Sequence, residues 1–257
     1  MTIATSALQS LHGGVQLAWA TELDSSSATP LEKKGVIRWD THPQFGLRGF
    51  QYLRCDQSGG CTAGQVQSRR ANVSAGSITA GTTTTITTSG LTADILVDGI
   101  LVVTDDAGGA GAAPEGESAR VVANTATKIT IHSDDAFSAA VASSDTATII
   151  LPWAVDDSAD GDTAEMVRGV AMTDHDQYDY GWFQFYGIHP KVAITTAALP
   201  INESLVADTA ALGDGAGDAA ELRCGVILSG VSADQVTLFG VVDLFCGAAY
   251  KLATSTS

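Results

Sequence analysis

The sequence predicts an all-β protein: a β-barrel or β-sandwich domain, a second small β-barrel inserted into it, and an extended N-terminal arm. Three observations carry this prediction. Runs rich in Val, Ile, Thr and aromatic residues recur at short intervals between Gly, Asp and Pro turn signals. No long stretch keeps the 3.6-residue apolar period of an amphipathic helix, so any helices are expected to be short. The texture of residues 35–70 resumes after Pro152, which marks the stretch between as an insertion. The chain has 257 residues, 45% of them apolar, enough to bury a core without disulfides.

Residues 1–31 are rich in Ser, Thr and Ala, with Pro30 near their end and one apolar patch, Val15-Gln16-Leu17-Ala18-Trp19. They read as an arm that orders against another surface. The main β domain is expected from residues 32–72 plus 152–257. Val36, Ile37 and Trp39 open a strand. Further on, Phe50, Tyr52 and Arg54 share one strand face, while Gln51 and Leu53 share the other. Ser58-Gly59-Gly60 reads as a hairpin-like turn, and Ala63-Gly64-Gln65-Val66 as a turn entering another strand.

The inserted barrel is expected from residues 73–151. The Thr-rich run 82–88 favours a strand, because β-branched side chains are poor in helices. Residues 95–104 are apolar and interrupted by Asp98-Gly99, which predicts a two-residue hairpin turn. Residues 105–117 hold four glycines and Pro114 and form a loop. Residues 120–124 and 128–132 read as a hairpin pair, and 146–151 as a closing strand.

Beyond Pro152, strands are expected at 166–172, 181–187, 192–196, 204–207, 223–228 and 236–245. Residues 208–220 read as a Gly/Ala/Asp loop. The aromatic segment Tyr180-Gly181-Trp182-Phe183-Gln184-Phe185-Tyr186-Gly187 is expected to be a central core strand.

The net charge of −16 argues against nucleic acid, whose phosphates need clustered Lys and Arg, and against anionic lipid. The charge is uneven. Residues 1–72 hold seven basic and five acidic side chains, a net +2, which leaves −18 for the remainder. No run of apolar residues reaches the length of a membrane helix. The N-terminus has no basic region followed by an apolar one, so no export signal is expected. Of the four cysteines, Cys55 and Cys61 flank a turn that permits a bridge, but free buried thiols are the expectation. There is no CxxC, and zinc is not indicated.

Asp156-Asp157-Ser158-Ala159-Asp160-Gly161-Asp162 resembles the front of a calcium loop, with Asp156, Ser158, Asp160 and Asp162 as candidate ligands. The bidentate acid required at the twelfth position is Val167 instead, so a solvated acidic turn is expected. Asp174-His175-Asp176 with Asp179 has metal or acid/base residue types, but it sits in turn chemistry and reads as a polar loop. Gly108-Gly109-Ala110-Gly111 precedes no helix pattern and stands among acids that repel phosphate. Neither GxSxG nor HExxH occurs. No catalytic residue and no cofactor is predicted.

Three stretches resemble structural proteins of tailed-bacteriophage particles. The first runs from Gly35-Val36-Ile37 through Gly49-Phe50-Gln51-Tyr52-Leu53-Arg54 to Cys61-Thr62-Ala63-Gly64-Gln65-Val66. The second joins Asp98-Gly99-Ile100-Leu101-Val102-Val103, Pro114-Glu115-Gly116-Glu117-Ser118-Ala119-Arg120-Val121-Val122-Ala123-Asn124 and Thr127-Lys128-Ile129-Thr130-Ile131. The third joins Val170-Ala171-Met172-Thr173, Tyr180-Gly181-Trp182-Phe183-Gln184, Glu203-Ser204-Leu205-Val206-Ala207-Asp208 and Gly225-Val226-Ile227-Leu228. Together they cover residues 35–245. The resemblance implies a non-enzymatic virion protein made in the host cytoplasm, with a capsid decoration (cement) protein on the outer face of the phage head as the leading case. Its implied partner is the shell of major capsid protein, and a homotrimer is typical of the class. The chain departs from the class in lacking a fibre repeat or heptad stalk and in its aromatic central strand.

On this reading function lies in a surface. Aromatics and Arg are favoured at interface cores, which makes Trp19, Arg38, Trp39, Arg48 and Arg54 the candidate contacts. The acidic remainder would face solvent. The alternatives are a fibre- or tail-associated carbohydrate-binding adhesin, which exposes Trp and Tyr, and a polysaccharide-degrading enzyme, which needs a cleft with paired carboxylates.

Overall fold

A computed structural model describes residues 22–108, 111–157, 167–194, 204–208, 211–214, 223–229 and 239–245. Among them the chain is all-β. The only helical turn among the described residues is a short 3-10 segment at Ser133–Asp135, and among them no helix is long and apolar enough to cross a membrane.

Four strands precede residue 73: β1 (Ser26–Ser27), β2 (Ile37–His42), β3 (Gly46–Cys55) and β4 (Val66–Arg69). Next come β5 (Val73–Ser74), β6 (Ala80–Gly81), β7 (Thr85–Thr87), β8 (Ile100–Asp105), β9 (Ser118–Asn124), β10 (Lys128–Ile131) and β11 (Thr146–Ile150). The last are β12 (Ala154–Asp157), β13 (Val167–Ala171), β14 (Tyr180–Ala193), β15 (Ser204–Asp208), β16 (Ala211–Asp214), β17 (Arg223–Ile227) and β18 (Phe239–Phe245).

The middle group alone makes a seven-stranded sheet, ordered β5-β11-β8-β9-β10-β7-β6. The flanking groups make an eleven-stranded sheet, ordered β16-β15-β17-β18-β14-β13-β4-β12-β3-β2, with β1 on β14. A further pairing of β14 with β3 joins β3, β14, β13, β4 and β12 into a closed circuit. Within it only the β12–β3 contact is parallel. Closure leaves these strands no free edge.

The sequence of β3 and β14 explains their place at the centre. Tyr180, Trp182 and Gln184 stand opposite Arg54, Tyr52 and Phe50, so these six side chains share one face. Phe50, Tyr52, Tyr180 and Trp182 form a buried aromatic cluster there. On the other face Leu53, Cys55 and Phe183 join a larger apolar cluster. It continues into the seven-stranded sheet through Leu101, Val121, Ile129 and Ile149. The aromatic segment is thus a core strand, as its composition predicts.

Several boundaries differ from the sequence reading. Residues 95–97 lie in a turn, and β8 starts at Ile100. Asp98 takes a left-handed φ of 70°, and the Gly99 N–H donates to the Leu96 carbonyl, so the Asp-Gly pair closes a turn rather than a hairpin. The Thr run yields only β7, because the Thr82 hydroxyl accepts from the N–H groups of Thr84 and Thr85 and holds the first residues in a local turn. The 208–220 loop contains β16, whose pairing with β15 gives a strand to residues of weak β propensity. The strands expected at 181–187 and 192–196 are one strand as far as Ala193. It passes Pro190 by a register shift between His189 and Val192.

Candidate functional site

Among the described residues β2 pairs only with β3 and ends the sheet, so it is an edge strand there. Its side chains alternate. Ile37, Trp39 and Thr41 point to one face, and Arg38, Asp40 and His42 to the other. On the first face Ile37 is 48% exposed, Trp39 51%, Leu47 of β3 49% and Tyr186 of β14 43%. Trp39 meets Phe185 and Tyr186 edge-on, each with ring centroids 5.5 Å apart. The rings of Trp39 and Phe185 lie over Gly49, where an added Cβ would stand 2.8 Å from both. Gly49 therefore sets how closely the rings approach the sheet. The result is an apolar and aromatic surface on an edge strand.

The predicted contact residues divide. Trp39 lies at the centre of this surface. Arg38 is half-buried on the opposite face of β2, near Arg48. Arg48 is buried and pairs with Asp40 at 3.4 Å, its guanidinium stacked over Phe50. Arg54 is only 2% exposed. The expectation that Arg48 and Arg54 form a surface contact with Trp39 is therefore corrected. The alternation that puts Arg54 with Phe50 and Tyr52 also puts it in the core. Trp19 lies outside the described residues.

Arg54 belongs to an internal network. It grips the carboxylate of Asp56 through two nitrogens, and Arg70 holds the same carboxylate. Its remaining nitrogen donates to the Ile95 carbonyl at 2.7 Å, which links the two sheets. Burial works against the charge on Arg54, but the pairing with Asp56 outweighs it and raises the pKa. This is a bidentate pair with satisfied donors, a structural joint.

The Asp174–Asp179 segment is not simply a polar loop. His175 is buried against Phe183, with ring centroids 5.0 Å apart. Its Nδ1 lies 3.0 Å from the Ser26 hydroxyl, which donates to Asp179 at 2.8 Å. An ionised carboxylate only accepts, so the serine proton goes to Asp179 and His175 Nδ1–H donates to Ser26. Serine, histidine and carboxylate therefore meet in an order unlike that of a hydrolase, where histidine stands in the middle and takes the serine proton. Burial pushes His175 down to about 4, against the pull of Asp179 and Asp174. The chain fastens β1 onto β14. The sequence alone did not point to Ser26, because the contact spans most of the chain.

Among the described residues, no group of three or more His, Cys, Asp or Glu side chains is placed to hold a metal ion. Asp156 is part of β12, opposite Ser68. The other calcium candidates, Ser158, Asp160 and Asp162, lie outside the described residues. Cys55 and Cys61 are free thiols, both buried. β3 and β14 pair residue against residue from Tyr180–Arg54 to Gln184–Phe50. Comparison with family models, characterised proteins and solved structures finds no match.

Proposed function

We propose that this chain is a virion structural protein of the capsid decoration type, docking on the shell of major capsid protein and working as a homotrimer. The observation that carries the reading is the exposed aromatic face of β2, with Ile37, Trp39, Leu47 and Tyr186 side by side. Such residues are favoured at the desolvated centre of an interface. An edge strand adds backbone donors and acceptors for a partner strand. Many weak contacts of this kind gain avidity on a symmetric shell. The sequence stretches that resemble phage structural proteins, Gly49–Arg54 and Tyr180–Gln184 among them, point the same way. Arg48 and Arg54 do not contribute to it. The docking face is aromatic rather than basic.

A second reading follows from the same rings. Trp39 and Tyr186 are exposed as a sugar-stacking platform would be, which suits a carbohydrate-binding adhesin.

The test uses the full chain and phage heads stripped of surface proteins. Co-sedimentation with the heads, lost in Trp39→Ala with the fold intact, supports decoration. Equal sedimentation of the variant overturns the assignment of the face. Strong Trp39-dependent signals on a glycan array without head binding overturn decoration in favour of the adhesin.

A further inference from the structure

Cys55 closes β3, and Cys61 follows after a turn that runs through Gly59 and Gly60, both at left-handed φ (85° and 78°). Both thiols sit in the same apolar cluster, 0% and 3% exposed. They also grip one neighbouring segment. The Cys55 N–H donates to the Asp179 carbonyl, and its own carbonyl accepts from Tyr178. Cys61 exchanges both backbone hydrogen bonds with His175. The backbones of the two cysteines are thus fixed on either side of the turn, and the two thiols are near enough to interact.

We propose that Cys55 and Cys61 are an oxidisable pair, with Cys55 the attacking sulfur and Cys61 the resolving one, closed to a disulfide by a peroxide. The proposal is independent of the virion reading. The interaction of the two thiols favours the Cys55 thiolate and lowers its pKa, while it raises that of Cys61. The Cys55 thiolate attacks one oxygen of hydrogen peroxide. The O–O bond breaks, and the departing hydroxide takes up the proton released by the thiol. The Cys61 sulfur then displaces the hydroxyl of the Cys55 sulfenic acid. The S–O bond breaks, the S–S bond forms, and the Cys61 proton leaves with the second water. Two thiols are oxidised and one peroxide is reduced to two waters. The exposed Ser58 and Gly59 put the pair one turn from solvent, within reach of a small oxidant. The bridge ties off the turn that contains Asp56, the acid shared by Arg54 and Arg70.

The experiment treats the reduced full chain with equimolar hydrogen peroxide, alkylates free thiols and maps tryptic peptides. Cleavage after Arg54 and Arg69 leaves both cysteines in one peptide, residues 55–69. The expected result is that this peptide escapes alkylation and is lighter by about 2 Da, the two hydrogens lost, until reductant restores it. In Cys61→Ser a dimedone adduct is expected at Cys55, whereas Cys55→Ser gives none at Cys61. The proposal is overturned if the wild-type peptide stays fully alkylatable while peroxide is consumed, or if the adduct forms at Cys61 instead. The wild-type map decides the bridge even where a variant does not fold.

Discussion

The guanidinium of Arg54 lies 4.5 Å from the ring of Trp153, sandwiched against the residue where the chain returns from the seven-stranded sheet. Trp153 Nε1–H in turn points to the Asp98 carbonyl at 3.4 Å, and Lys34 stands 4.4 Å over the same ring while pairing with Asp98. One cationic side chain from β3 and one from the approach to β2 thus hold an indole between the two sheets.

Arg54→Ala is expected to destabilise the protein by about 3–5 kcal/mol. It leaves Asp56 buried with Arg70 as its remaining partner and removes a cation–π contact. Urea unfolding followed by Trp fluorescence measures this. A loss under about 1 kcal/mol, the range of an exposed pair, would sink the assignment of Arg54 as a joint.

Trp39→Ala should cost about 2–3 kcal/mol, because half the residue is still buried against Phe185 and Tyr186 while the other half is already in water. Gly49→Ala reaches the same face from below by lifting the rings of Trp39 and Phe185. Both variants are expected to weaken head binding, and near-UV circular dichroism of the free protein should report the ring movement in Gly49→Ala. Unchanged spectra would show that the rings tolerate the extra methyl.

Gly181→Ala places a methyl group inside contact distance of the His175 ring. The expected cost is about 1–3 kcal/mol from overpacking. In the His175→Ala background the ring is gone, and the added methyl should cost less. A double-mutant cycle with a coupling near zero would refute the contact.

Acid should weaken the fold in a defined window. Burial lowers His175 and His189 from 6.5 to about 4, helped at His189 by the charge of Arg48. Both are neutral when folded, so the unfolded chain binds the protons first. Stability is therefore full above about pH 6.5, falls as pH drops towards 4, and levels off below it as far as these two groups are concerned, each contributing on the order of 3 kcal/mol. Denaturation at pH 7 and pH 4.5 measures the loss. His175→Gln and His189→Gln should each flatten the slope, and an unaltered slope in both would refute the role of the histidines.

Much of the fold was legible because it rests on local rules. The alternation in β2 and β3, the turn at Gly59-Gly60 and the aromatic density of β14 are short-range signals, and each appears where those signals place it. The errors come from partners distant in sequence. β16 is a strand because β15 pairs with it, and no propensity in Ala211–Asp214 announces that. His175 reads as a loop residue among acids, yet Phe183 and Ser26 bury it. The site was half legible. Trp39 stood out as an aromatic of a kind favoured at interface cores. The same period-two count that put Arg54 beside Phe50 and Tyr52 already implied burial, and Asp56, two residues on, was its natural partner.

The chain leaves the larger sheet and comes back to it at one place. Arg69 lies opposite Val155, Arg70 N–H donates to the Ala154 carbonyl, and Val73 lies opposite Ile149. The outgoing and incoming segments therefore run side by side, like the two ends of a ribbon passed through one slot. Apart from Ile95, Asp98 and the side chains of the shared core, the segment between them can lengthen or shrink without breaking a ladder of the closed circuit. The outlying sheet can thus change in length and sequence while β2, on the far side of β3 from that slot, stays as it is.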